Sequence, residues 1–219
     1  MSLQRDRKHP RWRFVLAGGA VVAAIISISL WYLGVLNDNF RVVDRGKFYR
    51  SGQMSPRELR ETVSAYGIRT IVNLRGMSVD PWHSQEVKAV SELGVRYVEI
   101  ALSATSLPPP ERAADLVRAF REGPYPMLIH CKGGADRTGL ACAIYEMVVA
   151  HHSLDEALRA QLTWQCRHLP IGKWRAMDDF FDLYREMGRG KDLAQWIFDD
   201  YPAVYAKQNG VLPTSRGHF

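Results

Sequence analysis

One stretch of the chain concentrates residue types that do chemistry: His130-Cys131-Lys132-Gly133-Gly134-Ala135-Asp136-Arg137-Thr138-Gly139. A cysteine is followed, after five intervening residues, by Arg, Thr and Gly. The run before it, residues 126–130 (PMLIH), has the length and apolar character of a buried strand, and the run after it (TGLACAIYEMVVAHH) is apolar and helical in length. The pattern therefore falls on a strand-to-helix turn, where unpaired backbone N–H groups converge. Gly133 and Gly134 let the backbone curl there without Cβ clashes. The expected product is a nest shaped for a tetrahedral anion, walled by His130, Lys132, Gly133, Gly134 and Ala135. Arg137 can grip two phosphoryl oxygens through its planar fork, which a lysine cannot do. The same amides and helix dipole favour the thiolate of Cys131. Its attack on a phosphate monoester would give a cysteinyl phosphate, hydrolysed by water in a second step. Thr138 can donate a hydrogen bond to the departing thiolate. His130 is expected to organise the loop by hydrogen bonding to backbone, not to act as a base.

Competing readings of these residues are weaker. A buried cysteine beside a helix start is common, but Cys, two Gly, Arg and Thr would all have to fall by chance on one turn. A nucleotide-binding P-loop is excluded, because no G-x4-G-K-[ST] occurs. Three cysteines, Cys131, Cys142 and Cys166, at irregular spacing make neither a disulfide framework nor a zinc site, and no cofactor is implied. Whether Cys142 and Cys166 pair is open at this level.

The elements around the loop follow from capping and periodicity. Ser55-Pro56-Arg57-Glu58 is a capping box with proline at the first helical position, predicting a helix to about Tyr66 that Gly67 ends. Residues 68–74 (IRTIVNL) predict a strand, 82–93 a helix stopped by Gly94, and 95–102 (VRYVEIAL) the next strand. KFYR predicts a short strand, and residues 37–46 a juncture without one. A helix over 111–121 follows the prolines at 108–110. Ser153 and Glu156 form a second capping box, and the rest is helical, broken at Pro170 and Gly188–Gly190, with Trp164, Trp174 and Trp196 as packing anchors. Strands alternating with helices predict an α/β fold with a mainly parallel sheet of about four to five strands flanked by helices. In such sheets ligands sit at the carboxyl ends of the strands, where the Cys131 loop must lie.

HCKGGADRTG resembles the signature loop of the protein-tyrosine and dual-specificity phosphatase superfamily, and the likeness extends over about residues 40–165. FYRSGQ, a helix and then GIRTIVNLRG are similar to the entry region of small bacterial and fungal dual-specificity-like members. The resemblance implies metal-free hydrolysis through the cysteine. In most members an aspartate on a separate loop protonates the leaving oxygen. Here the corresponding loop, Ser103-Ala104-Thr105-Ser106-Leu107-Pro108, has no carboxylate, and Glu111 and Asp115 fall on the next helix. Asp136 is the substitute; an aspartate there resembles myotubularin-like and certain bacterial lipid-active phosphatases. A salt bridge or helix cap is the structural alternative for Asp136. Asp80 and His83 are further candidates for acid or substrate contact, with His83 otherwise an ordinary surface histidine. Arg75, after the second strand, points to the rim of the site, to bind substrate charge or pair with a carboxylate. Lys132 adds positive potential for polyanionic substrates.

The charge is uneven. Arg5, Arg7, Lys8, Arg11 and Arg13 against Asp6 give the first 13 residues +4 of the net +6. That pattern marks topology more than a nucleic-acid footprint, and no nucleic-acid partner is expected. Residues 14–36 carry no charge; as a helix they span about 34 Å, enough to cross a hydrocarbon core of about 30 Å. Trp12, Trp31 and Tyr32 flank the run, where interfacial aromatics belong. A cleaved signal peptide is the alternative, but the run is too long and no A-x-A-like site closes it. The expectation is a basic cytoplasmic arm (1–13), one transmembrane anchor (14–36) and a cysteine phosphatase domain with a helical tail (37–219). The protein would be a single-pass inner-membrane protein, its N-terminus cytoplasmic and its catalytic domain periplasmic. Substrates would be a phosphorylated lipid or glycolipid headgroup, or a phosphotyrosine or phosphoserine protein. The alternatives are a pseudophosphatase that binds phosphorylated partners without turnover, and a sulfur-transfer or reductase enzyme.

Overall fold

A computed structural model of the chain describes residues 12–36 and 38–210, apart from the side chains at 12–15, 17 and 30–36. The described residues divide into two units, the first ending at Asn37 and the second beginning at Asp38.

The first unit contains helix α1, Trp12–Leu36, 25 residues long. Leu16, Val21, Val22, Ile25, Ile26 and Ile28 are all more than half exposed, and at 100° per residue they are distributed around the helix. Among the described residues no helix is long and apolar enough to cross a membrane; in α1 the described side chains cover only 16 and 18–29. Most of the basic arm and the side chains of Trp12, Trp31 and Tyr32 lie outside the described residues.

In the second unit the chain runs β1 (Arg41–Asp44), β2 (Phe48–Ser51), α2 (Pro56–Tyr66), β3 (Thr70–Asn73), α3 (Pro81–Leu93), β4 (Arg96–Glu99), α4 (Pro110–Glu122), β5 (Met127–His130), α5 (Asp136–Val148) and α6 (Leu154–Gln161). After two 3₁₀ turns, Trp164–Cys166 and Gly172–Arg175, it ends in α7 (Ala176–Met187), α8 (Leu193–Asp199) and α9 (Tyr201–Gln208). Both capping boxes form, with Ser55 and Ser153 each accepting from the N–H of the glutamate three residues on. Gly67 and Gly94 terminate α2 and α3 in the left-handed region.

The sheet order is β1-β2-β5-β3-β4, parallel except for the β1–β2 pair. Residues 41–44, expected to be a juncture, form β1. Val42 and Val43 suit a strand, and Gly46 at φ +77° makes the return turn to β2. The regular strands are shorter than the apolar runs that encode them, but pairing continues beyond their ends, as in Leu74 N to His130 O at 2.9 Å and Ile100 N to Asn73 O at 2.9 Å.

Alternation along the strands divides the core. Phe48, Val72, Met127 and Ile129 face α4, α5 and the helical tail. Tyr49, Ile71 and Leu128 face Leu59 and Val63 of α2 and Ala89 and Val90 of α3. Both faces of the central strands are covered, as a parallel sheet requires. Trp196 is fully buried against Phe180, Tyr184 and Tyr201. Trp164 and Trp174, also expected to anchor the tail, instead stand exposed, because the segment between α6 and α7 runs over the surface in 3₁₀ turns.

Candidate active site

β5 delivers His130 to the carboxyl edge of the sheet, and α5 begins at Asp136, so residues 131–135 form the loop between them. Its carbonyls are tied back to the surrounding protein. Gly134 O accepts from Asn39 Nδ2 at 2.8 Å and from Arg50 Nη2 at 2.7 Å, and Lys132 O accepts from Gln53 N at 3.1 Å. Among the described residues, the N–H groups of residues 132–135 donate to no protein group. A loop with its carbonyls occupied from outside and its amides vacant is built to accept an anion. Gly134 sits at φ +65°, and a Cβ there would come within 2.6 Å of Ser51 and Gly52 backbone. Gly133 has open space around it and no positive φ, so only one of the two glycines is required by the curl.

Cys131 is 3% exposed, at the base of the loop. Beside it, Arg137 Nε and Thr138 Oγ1 are buried without a hydrogen-bond partner, while Arg137 Nη1 makes only long contacts to Leu74 O (3.5 Å) and Leu102 O (3.4 Å). An unmatched buried donor requires an explanation, and a bound anion would supply one here. Arg75 stands on the rim. Its guanidinium stacks 3.3 Å above the Trp82 ring, and Nη1 donates to Gln53 Oε1 at 2.9 Å. Burial, and then the positive charge of Arg137, hold the Arg75 pKa below its usual value. Among the described residues it makes no salt bridge, and Glu86 and Asp80 act on it only at longer range.

Asp136 does not cap its helix; the N-cap position is Ala135, with no side-chain bond. Its Oδ1 lies 2.8 Å from Nδ1 of His168, whose Nε2 lies 2.8 Å from Oδ2 of Asp178. Burial opposes a charge on His168, but the two carboxylates outweigh it and raise its pKa from 6.5 to about 9. His168 thus stands protonated between two carboxylates and donates to both Asp136 and Asp178.

The remaining candidates are accounted for. His130 does not bond the loop backbone. Its buried ring faces the equally buried Glu86, with Nε2 3.2 Å from Oε1 in ion-pair contact but not aligned as a hydrogen bond. Burial would raise the Glu86 carboxyl; His130, Tyr97 and Gln53 around it bring it below the usual range. Lys132 is exposed. Asp80 is bound to Ser78 and Trp82, and His83, far from an ordinary surface residue, is mostly buried and held 2.7 Å from Glu99. Residues 103–108 are irregular, with Ser103 and Thr105 bonded to each other. All three cysteines are free thiols, and burial pushes Cys142 up to about 12.

Four supporting residues were not foreseen: Asn39, Arg50, Glu86 and His168. Glu86 left a trace, since it lies at i, i+3 and i+4 from Ala89 and Val90 on the apolar face of α3, where a carboxylate needs partners. Arg50, fully buried in the short strand β2, left a similar one. His168 and Asn39, in irregular segments, left none.

Residues 23–174 match the family model described as DSP-PTPase phosphatase fused to NAD+ kinase. Curated proteins provide no match. Among solved structures, Tk-PTP in its active form is 23% identical, with a TM-score of 0.52 over 68% of this chain and 97% of that one. TpbA of P. aeruginosa is 22% identical, with a TM-score of 0.50 over 65% and 88%. The core catalytic domain of the PP-IP phosphatase SIW14 of S. cerevisiae is 18% identical, with a TM-score of 0.53 over 80% and 94%. At these identities the likeness is one of fold.

Proposed function

The chain belongs to the DSP-PTPase phosphatase family and is a protein-tyrosine/dual-specificity-type phosphatase, and from that premise we propose that it hydrolyses phosphate monoesters through a cysteinyl phosphate on Cys131. The observation that carries the mechanism is the set of unmatched donors in the loop that follows Cys131 and the first turn of α5: the amides of residues 132–135, Arg137 Nε and Thr138 Oγ1. A phosphoryl dianion would satisfy them together, with Arg75 adding charge from the rim. The thiolate attacks phosphorus, the bond to the ester oxygen breaks, and that oxygen takes a proton from the Asp136–His168 pair. Water then attacks the cysteinyl phosphate, the S–P bond breaks toward the Thr138 hydroxyl, and Asp136 receives the water proton. Lys132, Gly133, Gly134 and Ala135 supply backbone to the phosphate, while Glu86 holds His130 beneath the nucleophile.

The test is phosphate release from an aryl phosphate by the full chain in EDTA. Activity that Cys131→Ser abolishes supports the reading, and an absolute need for a divalent metal overturns it. The missing carboxylate in residues 103–108 favours a second reading, a module that holds phosphorylated partners without turnover. That reading requires phosphate-dependent binding with no release.

We further propose that α1 anchors the protein in the cytoplasmic membrane, N-terminus in the cytoplasm and the second unit in the periplasm. Support comes from the uncharged run 14–36, the basic residues before it and the exposure of its described apolar side chains. The substrate would then be membrane-proximal. A reporter active only after export, fused behind residue 219, gives the topology; signal in the cytoplasm alone reverses it.

A further inference from the structure

Between α6 and α7 the chain leaves four large apolar side chains in solvent: Trp164 at 64% exposure, Leu169 at 55%, Ile171 at 65% and Trp174 at 45%. Leu169, Ile171 and Trp174, together with Asp136, line an open hollow of about 290 Å³. Exposed apolar side chains grouped around a concavity mark a binding surface. Asp136 identifies its occupant. The carboxylate that lines the hollow belongs to the Asp136–His168 pair read above as the proton source for the leaving oxygen, so the group attached to that oxygen lies toward the hollow. The lining holds no Lys or Arg side chain, its carboxylate repels a second phosphate, and three of its four side chains are apolar or aromatic.

The charge around the hollow narrows the class further. Residues 164–175 (WQCRHLPIGKWR) contain Arg167, Lys173 and Arg175 and no carboxylate; Arg175 is bonded to Asp179 and Asp182 of α7, which leaves Arg167 and Lys173 as the cations of the segment. The Lys173 ammonium stands 5.5 Å from the Trp174 ring centroid, a basic–aromatic pairing that suits a lipid headgroup boundary. The loop after β3, also at the carboxyl edge of the sheet, adds Met77 at 82% exposure and Val79 at 104%. A slot for a phosphotyrosine ring would have to close around it, whereas Leu169, Ile171 and Trp174 are each roughly half exposed or more.

We propose that the hollow takes the apolar leaving group of a phosphate monoester lying in an anionic lipid surface, with Leu169, Ile171 and Trp174 against its glycerol and upper acyl carbons. This rests on the phosphatase reading of the Cys131 loop and specifies its substrate class. The full chain in neutral detergent micelles is given dioleoyl phosphatidic acid, glycerol 3-phosphate, a phosphotyrosine peptide and para-nitrophenyl phosphate. The expected ratio of kcat/KM for the lipid over glycerol 3-phosphate is at least about 100, and Ile171→Ser/Trp174→Ser lowers that ratio by about tenfold or more. Both positions are largely exposed, so the double variant keeps its urea midpoint. A ratio that the double variant leaves unmoved overturns the inference, as does a phosphotyrosine peptide turned over faster than the lipid. Release from para-nitrophenyl phosphate with an unmoved ratio overturns this inference alone. No release from any of the four esters overturns the phosphatase reading and this inference with it.

Discussion

Nδ1 of His168 lies 2.8 Å from Oδ1 of Asp136, although 32 residues separate them in sequence. The contact holds one carboxylate oxygen, and in the proposed mechanism the other serves the leaving group. It predicts a dependence on leaving group. Asp136→Asn should cost about 100-fold or more in kcat on alkyl phosphates and far less on activated aryl phosphates, whose oxygen departs without a proton. His168→Ala should show the same selectivity at smaller amplitude. His168→Asn, whose amide can still donate toward Asp136, should recover part of the loss. Equal losses on both ester types would remove the pair from proton transfer.

The same pair makes stability depend on pH. The His168 pKa is raised from 6.5 to about 9, so folding favours the protonated ring. The stabilisation is complete below about pH 6.5 and is lost as pH rises through about 9, with a magnitude on the order of 3 kcal/mol. Urea midpoints of the full chain should fall between pH 6.5 and 9.5, and His168→Gln should flatten that slope. Asp178→Asn should shift the fall to lower pH, because one of the two carboxylates that hold the proton is gone.

Gly134 tests the shape of the anion loop. Alanine there needs a left-handed backbone and drives Cβ to 2.6 Å from Ser51 and Gly52 backbone atoms. The loop must shift, and misplacing a reacting group by about 1 Å costs on the order of 100-fold in rate. Gly134→Ala should therefore lose about that much in kcat/KM on every ester. Gly133→Ala, with open space around it, should keep wild-type stability.

Arg50 tests what holds the loop from behind. Its buried guanidinium donates to Gly134 O at 2.7 Å, to Gln161 Oε1 at 2.6 Å and to Gln161 O at 3.0 Å. Lysine cannot make these bonds together and would leave buried acceptors unmatched. Arg50→Lys should cost about 2–4 kcal/mol by urea unfolding. A cost within about 0.5 kcal/mol would mean that the loop holds its shape without this clamp.

Local rules written in the sequence determined most of the elements. Two capping boxes, glycine stops and β-branched runs placed β3, β4, β5 and the helices, and the spacing from Cys131 to Arg137 placed the anion loop on the β5–α5 turn. These features act within a few residues, so a linear reading recovers them. β1 escaped because a four-residue strand with a partly exposed face carries little periodic signal, and its pairing with β2 completes it. The groups that support the reacting residues were decided only in three dimensions. Arg50 reaches Gly134 across 84 residues and Asn39 reaches it across 95. His130 meets Glu86, and Asp136 meets His168, only because the sheet and the segment after α6 bring them together. A buried charge must find a partner wherever the fold supplies one, and the sequence spacing between the two carries no record of that choice.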